Sequence, residues 1–280
     1  MYKSLSPGAI GVKADLATSA ELASRFGFDA VHLNLREAAA LGAGQTAEIL
    51  ARAGVRAAGF GLPIQYRQSE AEFAAALSEL AGLLPAAQAL GVTRTTTWVP
   101  SWHDTLDFAA NYAFLRGRFG RIAALLADHG IRFGLEFLGP KTLRDGHPFE
   151  FIHTMDGMLA FCDEIGTGNV GLLLDAYHWY TAGGTLADLA RLTDAAIVDV
   201  HVNDAPAGVP LDKQLDGVRG LPGETGVIGV PAFLQAVAAI GYTGPVMVEP
   251  FSQRVRELPP EDAVRVTGEA LNKVWREAGL

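Results

Sequence analysis

The chain has 280 residues, 49% of them hydrophobic, and its 31 acidic against 22 basic side chains leave a net charge of −9. That length and apolar content suit one α/β barrel with a large core, so residues 1 to 280 are read as a single domain. The acidic balance disfavours nucleic acid and anionic membrane surfaces as partners, and the lone cysteine, Cys162, excludes a disulfide framework or a cysteine-rich zinc site.

The N-terminal MYKSLSPGAIGVKADL lacks a basic segment followed by a long apolar stretch, and no run of about 18 uncharged apolar residues occurs, so a cytoplasmic protein is expected. Strand-like apolar runs then recur in order at 9 to 14 (AIGVKA), 29 to 34 (DAVHLN), 56 to 63 (RAAGFGLP) and 93 to 100 (TRTTTWVP). Four more follow at 131 to 139 (IRFGLEFLG), 169 to 178 (NVGLLLDAYH), 196 to 204 (AIVDVHVND) and 244 to 251 (GPVMVEPF). Between them lie stretches of helical periodicity, such as 69 to 91 and 107 to 130, and glycines precede several strands as helix caps. Eight alternating units without a glycine-rich nucleotide turn predict a (β/α)8 TIM barrel. Two long connections, LGPKTLRDGHPFEF after the fifth strand and NDAPAGVPLDKQLDGVRGLPGETGVIG after the seventh, read as substrate loops.

Glu136, Asp175, His201 and Glu249 stand alone near the ends of four consecutive strand candidates. Carboxylates in parallel strands covered on both faces are costly unless paired or metal-bound, so the four are expected to converge on one cation. Three carboxylates and an imidazole make an oxygen-rich site suited to Mn2+ first, with Mg2+ or Co2+ as alternatives. Such a ligand set leaves room for two substrate oxygens. Alternation places Tyr177 on the same face as Asp175, and Asn203 and Asp204 are candidates to orient His201.

With these residues in view, the chain resembles the xylose isomerase-like barrel superfamily, in particular its sugar phosphate isomerase/epimerase group. The resemblance implies that the Glu, Asp, His and Glu at the ends of strands five to eight bind one divalent ion, and that the His of DAYH, His178, contacts substrate. It also implies that Glu136 and Glu249 move the proton of a carbon acid through an enediolate. The ketose 3-epimerases of this group carry a second Glu soon after the fifth-strand Glu and an Arg soon after the seventh-strand His. This chain has EFLGPKTLR and HVNDAPAGV there, with Lys141 and Ala207.

His32, Trp102 and Lys141 join His178 as candidate substrate contacts, with Trp98, Tyr177, Trp179 and Tyr180 as further aromatic candidates; His103, His129, His147 and His153 read as surface or cap residues. The reading is therefore an isomerase or epimerase of a small, unphosphorylated polyhydroxylated carbonyl compound, possible as a homo-oligomer like its relatives. Its alternatives are a keto-inositol or keto-sugar dehydratase or lyase and a non-catalytic sugar-binding barrel.

Overall fold

A computed structural model describes residues 1–280. Eight parallel strands close on themselves: β1 (Tyr2–Leu5), β2 (Ala30–Leu33), β3 (Arg56–Gly61), β4 (Arg94–Val99), β5 (Arg132–Phe137), β6 (Val170–Asp175), β7 (Ile197–Val202) and β8 (Pro245–Val248). Ser4 pairs with Met247 on one side and Ala30 on the other, which closes the ring between the last strand and the first. Helices follow the strands around the outside, so the fold is the expected (β/α)8 barrel.

Seven of the eight strand readings fall on the observed strands, and the first does not. Residues 9 to 14 form no strand; β1 lies earlier, at Tyr2–Leu5. Pro7 and Gly8 open a short 3-10 turn over Gly8–Ile10 that Gly11 ends in a left-handed conformation (φ 80), which breaks any pleat. The segment instead lies across the barrel mouth, where Gly8, Ala9, Val12 and Ala14 line the main cavity. On β6 the two-residue alternation ends at Asp175, because Ala176–Thr181 is helical.

Local chemistry accounts for the long helices. Ser69 and Glu72 form a capping box at the start of Glu70–Ala89, and the Asp107 side chain caps Phe108–Ala127 by accepting from the Ala110 N–H. The C-terminal helix Pro260–Glu277 returns to the barrel floor, where Lys3 Nζ donates to Asn272 Oδ1 at 2.6 Å. No helix is long and apolar enough to cross a membrane. Cys162 is a core residue: burial, and secondarily Asp163, pushes its thiol up to about 12.

The two long loops meet above the carboxyl end of the barrel, where Thr142 Oγ1 donates to the Gln214 carbonyl at 2.7 Å. Behind them Gly139 is packed so closely that a Cβ would lie 2.2 Å from the His178 carbonyl oxygen and 2.5 Å from Thr181 Oγ1. Gly139→Ala is expected to lower stability by about 1–3 kcal/mol through overpacking. A denaturant midpoint equal to that of the wild type would show that this close approach is not a constraint.

Candidate active site

The ends of β5, β6, β7 and β8 bring Glu136, Asp175, His201 and Glu249 together, with ligand atoms all within 4.8 Å of one another. Glu136, Asp175 and His201 are buried and Glu249 nearly so. Asp175 divides its two oxygens. Oδ1 caps the helix Ala176–Thr181 by accepting the Tyr177 and His178 N–H groups at 2.7 and 3.0 Å, and Oδ2 turns to the cluster. Asn203 Nδ2 donates to that Oδ2 at 2.8 Å and to the Glu249 carbonyl at 3.2 Å. Asn203 thus positions Asp175 and the backbone of Glu249 rather than His201. Glu136 Oε1 and His201 Nδ1 are sealed from solvent 3.9 Å apart, with Glu249 Oε2 3.5 Å from the same Nδ1. Carboxylate oxygens on both sides of the imidazole nitrogen call for a shared cation, a proton on the ring or a metal ion in its place.

Arg219, on the loop after β7, joins the cluster. Its Nη1 lies 3.1 Å from Asp175 Oδ2 and 3.4 Å from Glu249 Oε2, and Asp216 Oδ1 accepts from Nη2 at 2.7 Å. The side chain is 1% exposed although the loop is long. Asp204 makes this possible: its carboxylate accepts the N–H groups of Ala205, Thr225, Gly226 and Ile228, and its backbone bridges to Gly220. Tyr177 OH holds the other arm by donating to the Leu215 carbonyl at 2.8 Å. So Asp204 organises the loop, not the His201 ring, and Tyr177 supports the loop from outside the cavity wall.

His178 is buried beside Arg219. The Gly139 N–H points at its Nδ1 at 3.2 Å and Arg219 Nη2 at its Nε2 at 3.0 Å, so both ring nitrogens face donors, and burial with the Arg219 charge pushes the ring well below its ordinary value. Nε2 lies 3.0 Å from Arg219 Nη2 and 3.8 Å from Glu136 Oε1. The ring thus sits neutral between Arg219 and Glu136, packed behind the carboxylate cluster.

The protein charges alone leave the cluster unbalanced. Burial, then Glu249 and Asp175, pushes Glu136 well above the usual carboxylate range. Burial also raises Asp175, against the pull of Arg219. Burial acts upward on Glu249 too, but the hydrogen bond and charge of His201, with Arg219, outweigh it and hold Glu249 below its ordinary value. Burial disfavours the imidazolium of His201, yet Glu249, Asp199 and Glu136 together raise it to about 10.

The cluster borders a cavity of about 580 Å³ whose wall includes His32, Trp98, Glu136, His201, Glu249 and Phe251. Phe251, just beyond β8, is the one non-glycine residue with positive φ (36°), and the Arg219 and Arg256 guanidinium groups lie 4.5 and 5.3 Å from its ring centroid. Trp102 and Lys141 are outside this wall. Trp102 belongs to a two-residue pairing with Phe149–Glu150 and packs on His147 at 4.8 Å, while Lys141 is 52% exposed and ion-paired with Asp145 at 2.8 Å. The loop after β5 pairs through Phe149 and Glu150 with His103 and Trp102. His103, His129 and His153 bond to nearby backbone groups, and His147 to Asp104. Sequence reading passed over Arg219 as a site residue; its only signal was a cation on a long connection.

Binding of a divalent ion must displace the proton that His201, ordinarily near 6.5, holds up to about 10. Calorimetric titration with MnCl2 is therefore expected to show proton release and an affinity that rises with pH through neutrality. At a hundredfold excess over Kd the ion adds about 2.7 kcal/mol of stability, read as a higher Tm. A Tm indifferent to Mn2+, Mg2+, Co2+ and Zn2+ would remove the metal site.

Comparison with known proteins agrees with this architecture. The family described as xylose isomerase-like TIM barrel matches residues 20–274. An inosose isomerase from Halalkalibacterium halodurans is 27% identical over 144 residues, covering 51% of this chain and 48% of that protein. A ketose 3-epimerase from Arthrobacter globiformis is 29% identical over 147 residues, 52% of this chain and 44% of that one. The chain thus spans about half the length of these curated relatives. The solved structure of a xylose isomerase domain protein from Alicyclobacillus acidocaldarius covers 100% of both chains with a TM-score of 0.87 and 30% identity. A family match over nearly the whole chain, on a closed eight-stranded barrel, means that this protein belongs to the xylose isomerase-like TIM-barrel family.

Proposed function

We propose that this protein is a divalent-metal-dependent isomerase or epimerase of a small, uncharged polyhydroxylated carbonyl compound. The observation that carries the reading is the pair Glu136, on β5, and Glu249, just past the end of β8, both within the four-residue cluster and both bordering the cavity. Glu136, Asp175, His201 and Glu249 would hold one cation, Mn2+ first by the hardness of the donors, which when bound supplies Lewis-acid polarisation of the substrate's carbonyl and hydroxyl oxygens. The inosose isomerase and ketose 3-epimerase relatives support proton transfer next to a carbonyl.

The chain's own residues divide that task. Their opposite surroundings suit the two glutamates to different proton affinities: Glu249, held low, removes the proton from carbon, and Glu136, pushed high, returns one. Four carboxylates, Asp216 on Arg219 included, against that guanidinium and one divalent ion leave the site at −1, which favours an uncharged sugar or polyol over a phosphorylated one. Trp98 and Phe251 offer apolar faces for a carbon skeleton.

The test is incubation of inososes and ketoses with the protein and Mn2+ in D2O. Solvent deuterium in an isomeric product is expected, with Glu136→Gln and Glu249→Gln lowering kcat by roughly 10²- to 10⁴-fold. Loss of water from the substrate would replace the isomerase by a dehydratase, and sugar binding without turnover would leave a binding barrel.

A further inference from the structure

Beneath the cluster, the barrel holds a second polar group that the proposed chemistry does not use. His32 on β2 reaches across the lumen to β7, with Nε2 3.2 Å from Ser4 Oγ and 3.5 Å from Asp199 Oδ2. Asp199 and Ser4 are buried, in a layer that Leu or Val fills in an ordinary barrel. Asp199 precedes His201 by two residues on the same strand, so this layer lies roughly 7 Å deeper than the cluster.

Hydrogen-bond geometry favours one tautomer of the His32 ring. The Val246 carbonyl, 3.3 Å from Ser4 Oγ, can only accept, and with its one hydrogen turned there Ser4 accepts from His32. The Asp199 carboxylate, 3.5 Å from the same Nε2, adds a second acceptor although burial raises its proton affinity. Both neighbours therefore favour a proton on Nε2, which leaves Nδ1 with the lone pair. No protein donor reaches Nδ1, and it is not among the atoms sealed from solvent; the 9% of the side chain that remains exposed opens on the cavity wall. Burial favours the neutral ring, with Asp199 opposing.

We infer that His32 Nδ1 is a specificity contact that accepts a hydrogen bond from a substrate hydroxyl remote from the metal-bound end, with Ser4 and Asp199 as positioning residues that hold its tautomer. The inference rests on the proposed function and narrows its substrate class. The site selects a polyol with a free hydroxyl at that position, and discriminates against a deoxy or O-phosphorylated counterpart, which has no donor to offer.

The test has two arms. In 15N spectra of the full-length chain, with and without Mg2+, His32 is expected in the Nε2–H tautomer, and an Nδ1–H tautomer overturns the inference whether or not any sugar is turned over. In the second arm, the inososes and ketoses that the wild type converts are compared with their deoxy counterparts. His32→Phe is expected to lower kcat/KM for the hydroxylated compound roughly ten- to a hundred-fold, mainly through KM, and to shrink the preference over the deoxy compound by the same factor. His32→Asn keeps an acceptor oxygen near the Nδ1 position and is expected to recover most of that preference. If both variants fold and bind Mn2+ like the wild type and keep its full preference, His32 is only a core residue. If the wild type converts no inosose or ketose, the proposed function falls, and the 15N arm alone decides the tautomer claim.

Discussion

Three carboxylates crowded into the mouth of a closed apolar barrel repel one another, and the surrounding groups are arranged against that repulsion. Two like charges about 4 Å apart at an effective dielectric near 20 cost roughly 4 kcal/mol, before the loss of hydration is counted. The chain answers with Asn203 and Arg219 on Asp175, Arg219 and His201 on Glu249, and a helix N-terminus on Asp175 Oδ1. Glu136 receives no hydrogen bond at Oε1. The deficit is therefore concentrated on one side of the cluster, between Glu136 and His201, where a divalent ion would complete the balance.

That arrangement explains the shape of the long loop after β7. A flexible connection cannot by itself hold a guanidinium at 1% exposure, since ordering a long side chain and its backbone opposes it entropically. The Asp204 carboxylate closes the base of the loop through four backbone N–H groups, and Tyr177 fixes its middle through Leu215. The helix that Asp175 caps is the helix that carries Tyr177 and His178. One carboxylate thus serves as a candidate metal ligand and orients a loop support and the buried His178 at once, and the cluster and its loop stand or fall together.

Much of this was legible in the chain. Strands β2 to β8 announced themselves because parallel strands buried on both faces are nearly continuous apolar runs, and an isolated charge at the end of such a run stands out. Glu136, Asp175, His201 and Glu249 were visible on that ground and the structure gathers all four. β1 was misplaced because its Tyr-Lys-Ser-Leu is short and half polar, while the next segment is more apolar yet interrupted by glycine. Trp102 and Lys141 drew notice by chemistry and nearness in sequence to strand ends, but neither lines the cavity: one is held in a two-residue pairing and the other is ion-paired with Asp145. Arg219, further along the loop that carries Ala207, is the cation that reaches Asp175.

The residue pattern by itself determined the barrel and the identity of its four ligand candidates, because burial periodicity and the cost of a lone buried charge are local properties of a strand. Which loop side chains return to those ligands, and which way His32 presents its lone pair, was decided only by the tertiary structure. Those outcomes depend on contacts between residues far apart in the chain, such as Ser4 with Val246, His32 with Asp199 and Asp175 with Arg219, and no local pattern encodes such distances.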